Sequence, residues 1–262
     1  MSPQILLSFD LEEFDLPLEY GCRLDEESQH RVTLQGLEPL VGLLEKHGIQ
    51  ATFFTTSYFA EANPAVVRGI ARTHEIASHG CRHSDFREAD YHESKKILQD
   101  VTGQPISGFR MPRLGAVSFR RLKEAGYQYD SSINPTLVPG RYNHLLKPRV
   151  VLREEQTGLY ELPCSVTPVI RFPLFWLAFK NLPFGVYLTL CRRTLRADSY
   201  LNLYFHPWEF ADLTNFRIPF YCKRTSGQHL LSRFERLVTE LGPGASFSSM
   251  ADFLRSRDSV SG

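Results

Sequence analysis

Apolar and polar positions follow two periods along the chain. Short apolar runs bounded by turn residues fall at Ile5–Phe9, Ala51–Thr55, Glu75–Ser78, Gly108–Met111, Gln128–Asp130, Leu159–Leu162 and Tyr200–Phe205, and each predicts a strand. Between the first two, apolar residues recur at 34, 37, 40, 41, 43 and 44 before Gly48, which predicts a helix over Thr33–His47 with a glycine stop. Asn63-Pro64 supplies a cap and a first-turn proline for another helix. Asp90–Val101 and Val117–Ala125 predict helices that end near Gly103 and Gly126, and Gly185–Arg196, Gln228–Leu241 and Ser249–Arg255 complete the set. Alternating strands and helices imply parallel strands joined by helical crossovers. Some seven strands in one chain predict a (β/α) barrel, complete or open, and no composition shift divides residues 1–262 into separate domains.

Length and composition narrow this only a little. The 262 residues suit one large α/β domain. A 42% hydrophobic and 23% charged composition excludes disorder, collagen and coiled coil. A net charge of +1 gives no bias toward nucleic acid. The five cysteines, at 22, 81, 164, 191 and 222, form no CxxC pair, so neither a disulfide framework nor a cysteine zinc site is expected. The first apolar run reaches Asp10 without a basic start or a long hydrophobic core, so no secretory signal is read and a cytoplasmic location is expected. The most apolar stretch, Val169 to Leu190, is interrupted by Arg171, Pro173, Lys180, Asn181, Pro183 and Gly185. A membrane-spanning helix needs about 20 mostly apolar residues, so none is expected there.

The chemistry gathers at strand ends. Asp10 and Glu12 follow the first strand, His79 and His83 the third, Arg110 the fourth, Asp130 the fifth and His206 the seventh. Barrels carry their active sites on that face. His79 and His83, four apart, would share a face on one helical turn, and two histidines with a carboxylate make an open metal site. Strand alternation sends Asp10 and Glu12 to one side, so one carboxylate can ligate a metal and the other take a proton from water. Asp15, Glu19 and Glu26 read as solvated acids in a segment whose first 30 residues hold only Arg23 as a base. Cys81, between the two histidines, would face away from such a metal. His206 ends an apolar strand, where an imidazole can protonate a leaving amine.

Five ordered motifs resemble the polysaccharide deacetylases, the NodB-homology group of carbohydrate esterase family 4. They are Ser8-Phe9-Asp10-Leu11-Glu12, His79-x-x-x-His83, Phe109-Arg110-Met111-Pro112, Tyr129-Asp130-Ser131-Ser132 and His206-Pro207-Trp208-Glu209. The resemblance implies a distorted (β/α)7 barrel and metal-dependent hydrolysis that removes acetyl groups from sugars. It implies Asp10 as catalytic base, Arg110 as its tether, His206 as general acid and Asp130 as the charge partner of His206. It implies His79 and His83 as metal ligands. Most members carry two adjacent aspartates in the first motif; Leu11 fills the second place here, so the sequence resembles the Asp-x-Glu branch. Glu12 is then the third ligand, with Glu13 the lesser choice. Zinc is the default metal, and cobalt, nickel, iron or manganese suit the same donors. Pro112, Arg113 and Trp208 are the candidate substrate contacts, with a backbone N–H near Arg113 at the oxyanion. Two other readings compete: an allantoinase-like, metal-independent amidohydrolase acting on a small amide, and a non-catalytic sugar-binding relative.

A last expectation concerns partners. From Arg141 to Ala197 there are nine basic and three acidic residues, beside Phe172, Phe175, Trp176, Phe179 and Phe184. Basic and aromatic residues together suit an anionic membrane surface, so peripheral membrane contact and a lipid-linked N-acetylated sugar are expected as alternatives to a soluble glycan.

Overall fold

Every residue from Ile5 to Leu11 is buried, as a parallel strand covered on both faces requires. The computed structural model describes residues 2–140 and 142–261; Arg141, one of the nine bases between Arg141 and Ala197, lies outside them. Seven parallel strands are β1 (Gln4–Leu11), β2 (Thr52–Thr55), β3 (Glu75–Ser78), β4 (Gly108–Phe109), β5 (Tyr129–Asp130), β6 (Tyr160–Glu161) and β7 (Tyr200–Phe205). They lie in the order β7-β1-β2-β3-β4-β5-β6, with Phe9 in register with both Phe53 and Phe205. This is the distorted, open form of a seven-stranded barrel.

The opening lies between β6 and β7, where no ladder joins the two strands among the described residues. Asn202 bridges it instead, its backbone carbonyl accepting from the Ser165 N–H at 2.9 Å. Asn202 Nδ2 donates to the carbonyls of Leu162 at 3.1 Å and Pro163 at 3.2 Å, and the Asn202 N–H donates to Ser165 Oγ at 2.8 Å. Strand alternation sorts the core. Ile5, Leu7, Phe9 and Leu11 pack outward on the helices, while Leu6 packs inside with Phe54, Ala77, Tyr129 and Leu162. The C-terminal helix Met250–Ser261 closes the barrel floor with Met250, Phe253 and Leu254.

The first long helix runs Glu26–Lys46, seven residues earlier than its apolar stripe predicts. Asp25 caps it by accepting from the Ser28 N–H at 2.8 Å, and the added turns are largely polar because they lie outside the core. This helix steadies two site segments. Thr33 Oγ1 donates to the Glu12 carbonyl at 2.7 Å. Gly36 lies so close to the turn after β7 that a Cβ there would come within 2.0 Å of the Pro207 carbonyl oxygen.

Four short helices (Leu16–Glu19, Ser57–Ala62, Trp176–Asn181, Phe220–Lys223) and a hairpin pairing Leu137–Val138 with Tyr142–Asn143 add to the predicted elements. Apart from the helix Ser57–Ala62, these stand at the mouth. The aromatics expected to meet a membrane are turned inward. Phe179 is fully buried, and Phe172, Phe175, Trp176 and Phe184 are partly buried against the main core. Among the described residues no helix is long and apolar enough to cross a membrane.

Candidate active site

Alternation along β1 brings Ser8, Asp10 and Glu12 to the barrel interior. Glu12 Oε2 lies 3.2 Å from His79 Nε2 and 3.5 Å from His83 Nε2. The three residues each offer one donor atom, and all three atoms lie within 4.8 Å of one another. Glu12 Oε2 and His79 Nε2 are buried and neither makes a hydrogen bond. Two buried donor atoms left unpaired and facing each other suit a shared cation, since such groups are otherwise costly to bury. The set of two imidazoles and one carboxylate matches an open catalytic metal site.

The histidines do not share a helical turn, as their spacing predicts. Residues 79–83 form a loop, with Gly80 at φ 75°, and the loop itself brings the rings to 5.9 Å. Each ring is fixed through its other nitrogen. His79 Nδ1 donates to the Arg110 carbonyl at 2.9 Å, and His83 Nδ1 lies 2.9 Å from both Asp15 carboxylate oxygens. Such outer hydrogen bonds set tautomer and direction in metal-binding histidines. Asp15 is therefore not a solvated acid; it is 4% exposed and orients His83. Glu19 and Glu26 are engaged too, with Arg113 and with Arg82.

Burial raises the Glu12 carboxyl, but His83, His79 and His206 outweigh it and hold Glu12 at about 2. Burial also opposes charge on His83, but Glu12 and Asp15 hold its imidazolium up to about 9. That is a proton a metal ion would displace on binding. Glu13 stays out of the group: its oxygens accept from the His83 N–H at 3.1 Å and Thr56 Oγ1 at 3.0 Å. Cys81 sits with Asp90 and Glu93, away from Glu12, and burial pushes its thiol up to about 11.

Asp10 stands beside this group. Arg110 is fully buried and its Nη1 donates to Asp10 Oδ1 at 2.6 Å. The other guanidinium donors go to Ser8 Oγ, Ser131 Oγ and the Ser131 carbonyl, each at 3.0 Å. Asp10 Oδ2 is left facing His79 Nε2 at 4.0 Å and His206 Nε2 at 3.8 Å.

His206 takes its partner from its own loop. Its Nδ1 lies 3.0 Å from Glu209 Oε1, which also accepts the His206 N–H at 2.8 Å. Glu209 Oε2 faces Lys180 Nζ at 3.4 Å, both side chains being fully buried. Burial disfavours the His206 imidazolium, yet Glu209, Glu12 and Asp10 together raise its pKa. This corrects the expectation for Asp130. That residue accepts from the Ser132 N–H and hydroxyl and sits beside Glu161 across the β5–β6 ladder, beneath the site and away from His206. Glu209 carries a sequence signal in its i+3 spacing from His206. Lys180 carries another, as a charge within the most apolar stretch.

A cavity of about 310 Å³ opens over these groups, lined at its floor by Asp10, Glu12, His83, His206 and Trp208. Trp208 is 3% exposed, stacks on His206 at 4.6 Å and donates from Nε1 to Glu12 Oε1 at 3.2 Å. It therefore positions the site as well as lining it. Arg113 stands at the rim, with φ 57° followed by Leu114 at 52°. Pro112, offered as a substrate contact, is buried and does not line the cavity.

A family model described as polysaccharide deacetylase matches residues 34–129. No curated protein matches the chain. Among solved structures, one from Mycobacterium smegmatis, assigned as a polysaccharide deacetylase, has 20% identity and a TM-score of 0.65, covering 97% of this chain and 90% of its own. The Puue allantoinase has 16% identity and a TM-score of 0.67, covering 96% and 89%. A protein of Pseudomonas aeruginosa PAO1, also assigned as a polysaccharide deacetylase, has 17% identity and a TM-score of 0.65, with the same coverage. At these identities the likeness is one of fold.

Proposed function

We propose that this chain is a member of the polysaccharide deacetylase family and a metal-dependent hydrolase that removes the acetyl group from an N-acetylated sugar of a glycan or glycan precursor. The observation that carries this reading is the facing pair of unpaired, buried donors, Glu12 Oε2 and His79 Nε2, completed by His83 and set beside Asp10 and His206.

Glu12, His79 and His83 would hold the metal, with zinc as the default and cobalt, nickel, iron or manganese compatible with the same donors. When bound, a divalent ion there supplies Lewis-acid polarisation of water and of the acetyl carbonyl. Asp10 takes the proton of the attacking water through Oδ2, the oxygen that Arg110 leaves free. The buried guanidinium fixes that carboxylate in one rotamer. His206, protonated and held by Glu209, delivers a proton from Nε2 to the departing nitrogen. Water is thus split between products: its hydroxyl ends on acetate, and the amine leaves protonated. The Arg113 backbone N–H, at the cavity rim, is the proposed donor to the oxyanion. Asp130 and Pro112 have no direct part.

The test is acetate release from N-acetylated sugars, lipid-linked sugars and chitin oligomers after chelation and after adding back each metal. Activity should vanish on chelation and return with metal. Asp10→Asn should retain metal but lose about 10²–10⁴-fold in rate. Full activity without metal would sink the metal-dependent reading. The second reading, a small-amide hydrolase, is favoured by the likeness to the allantoinase fold. Turnover of a cyclic ureide by the chelated protein, with no acetate from any sugar, would establish it instead.

A further inference from the structure

Resting on the deacetylase reading, we propose that the site takes one chain-end N-acetylated sugar, inserted end-on, and excludes internal units of a glycan chain. The mouth of the cavity is a ring of walls, each tied to the next. Arg113, after β4, reaches the segment after β1, with Nη2 at 3.0 Å from Glu19 Oε1 and 3.9 Å from Asp15 Oδ2. Leu114 beside it packs in one cluster with Tyr142 of the hairpin after β5 and Phe175 after β6. From the helix that Phe175 caps, Asn181 Nδ2 donates to the Tyr221 carbonyl at 2.9 Å, joining the β6 wall to the β7 wall. Tyr221 and Tyr20 line the mouth of the cavity together, and the circuit returns to the segment after β1.

An internal unit carries two glycosidic links, so its neighbours must leave the site in two directions. A groove open at both ends permits that; a ring does not. A chain-end unit has one link, which can leave through the mouth. The size agrees: about 310 Å³ lies near the lower end of the ~300–1,000 Å³ typical of small-molecule pockets. Most of the ring is built from four of the five short elements that the apolar pattern does not predict (Leu16–Glu19, the hairpin, Trp176–Asn181 and Phe220–Lys223), so the restriction belongs to loops and not to the barrel.

The test uses the metal-loaded full chain. Its substrates are the methyl glycosides of N-acetylglucosamine, N-acetylgalactosamine and N-acetylmannosamine, and the β-1,4-linked tetramer of N-acetylglucosamine. Tandem mass spectrometry locates each acetyl lost from the tetramer. The expected result is turnover of at least one methyl glycoside, with tetramer deacetylation confined to one end unit. Deacetylation of internal units at the rate of the end unit overturns the proposal while leaving the deacetylase reading intact. No acetate from any substrate overturns both. Glu19→Ala and Tyr221→Ala each open the ring at a different point. They should raise the internal share about tenfold, the scale at which pocket sterics discriminate. An end-only pattern kept by both variants would show that the ring is not what excludes internal units, and the proposal fails.

Discussion

Glu209 holds His206 by two atoms at once, with Oε1 at 3.0 Å from Nδ1 and at 2.8 Å from the backbone N–H of the same residue. One carboxylate oxygen thereby fixes the ring's tautomer and its direction, and Nε2 is left to point at Asp10. Buried Lys180 lies beside the other oxygen, Oε2, at 3.4 Å. Glu209→Gln should cost about 10–100-fold in activity, the usual effect of losing such an outer partner. It should also lower the His206 pKa, because the raised value depends on Glu209. A general acid works only when protonated, so the alkaline limb of the kcat/KM profile should move to lower pH. A profile with both limbs unmoved would remove Glu209 from this role.

The metal group makes a graded prediction. His79→Ala and His83→Ala should each remove most bound metal, measured by elemental analysis of purified protein, and leave the fold largely intact. Asp15→Asn should weaken metal binding about 10–100-fold without abolishing it, because His83 keeps its nitrogen and loses only its orientation. Glu13→Gln should bind metal normally, since its oxygens serve the His83 N–H and Thr56. Stoichiometric metal in both alanine variants would refute the ligand assignment.

The barrel and the floor of the site are legible in the sequence because both rest on short-range pattern. Buried strands read as apolar runs, and β3 and β7 lie where those runs predict, to the residue. Alternation from β1 onward puts Glu12 on the side of Asp10. What stays hidden is decided by chain segments meeting from far apart. Asp15 reads as solvated because its acidic neighbourhood gives no hint that His83 folds back onto it. The HxxxH spacing suggests a helix, yet Gly80 in the left-handed region turns the chain and still brings the two rings together. The role expected of Asp130 falls to Glu209 because the partner of His206 depends on a tight turn after β7, which returns Glu209 to it. The four- and six-residue helices at the mouth are too short to show a period.

The buried pair beneath the site predicts a stability effect of definite sign. Asp130 and Glu161 are opposite each other on β5 and β6 and both fully buried. Burial, with the charge of Asp130, pushes Glu161 well above its ordinary range, and burial raises Asp130 as well. An acid whose folded pKa is raised holds its proton longer in the native state. Its contribution is full below the unfolded value and is lost as pH rises through the folded one. The thermal stability of the wild type should therefore fall on the neutral and alkaline side. Glu161→Gln keeps the neutral form at every pH, and its oxygen can still accept the Ile133 N–H. It should match the wild type near pH 4 and exceed it above. A wild-type advantage at neutral pH would contradict the raised Glu161 carboxyl.

Two glycines in the helix Glu26–Lys46 should respond in opposite ways to the same substitution. A Cβ on Gly42 meets nothing within 4 Å, whereas one on Gly36 would lie 2.0 Å from the Pro207 carbonyl oxygen and 2.8 Å from the Ala211 N. Alanine in an open helix interior gains up to about 1 kcal/mol over glycine. Gly42→Ala should therefore raise stability by up to that amount, read from urea unfolding, with activity unchanged. Gly36→Ala meets backbone, which cannot rotate away, so helix and turn must separate. Overpacking of that kind costs about 1–3 kcal/mol, more than the propensity gain. The turn that moves carries His206, Trp208 and Glu209, so activity should fall beyond what lost stability explains. It should fall in kcat more than in KM, because the displaced groups act on the reacting atoms. Equal stability and activity in the two variants would mean that the helix does not brace the site.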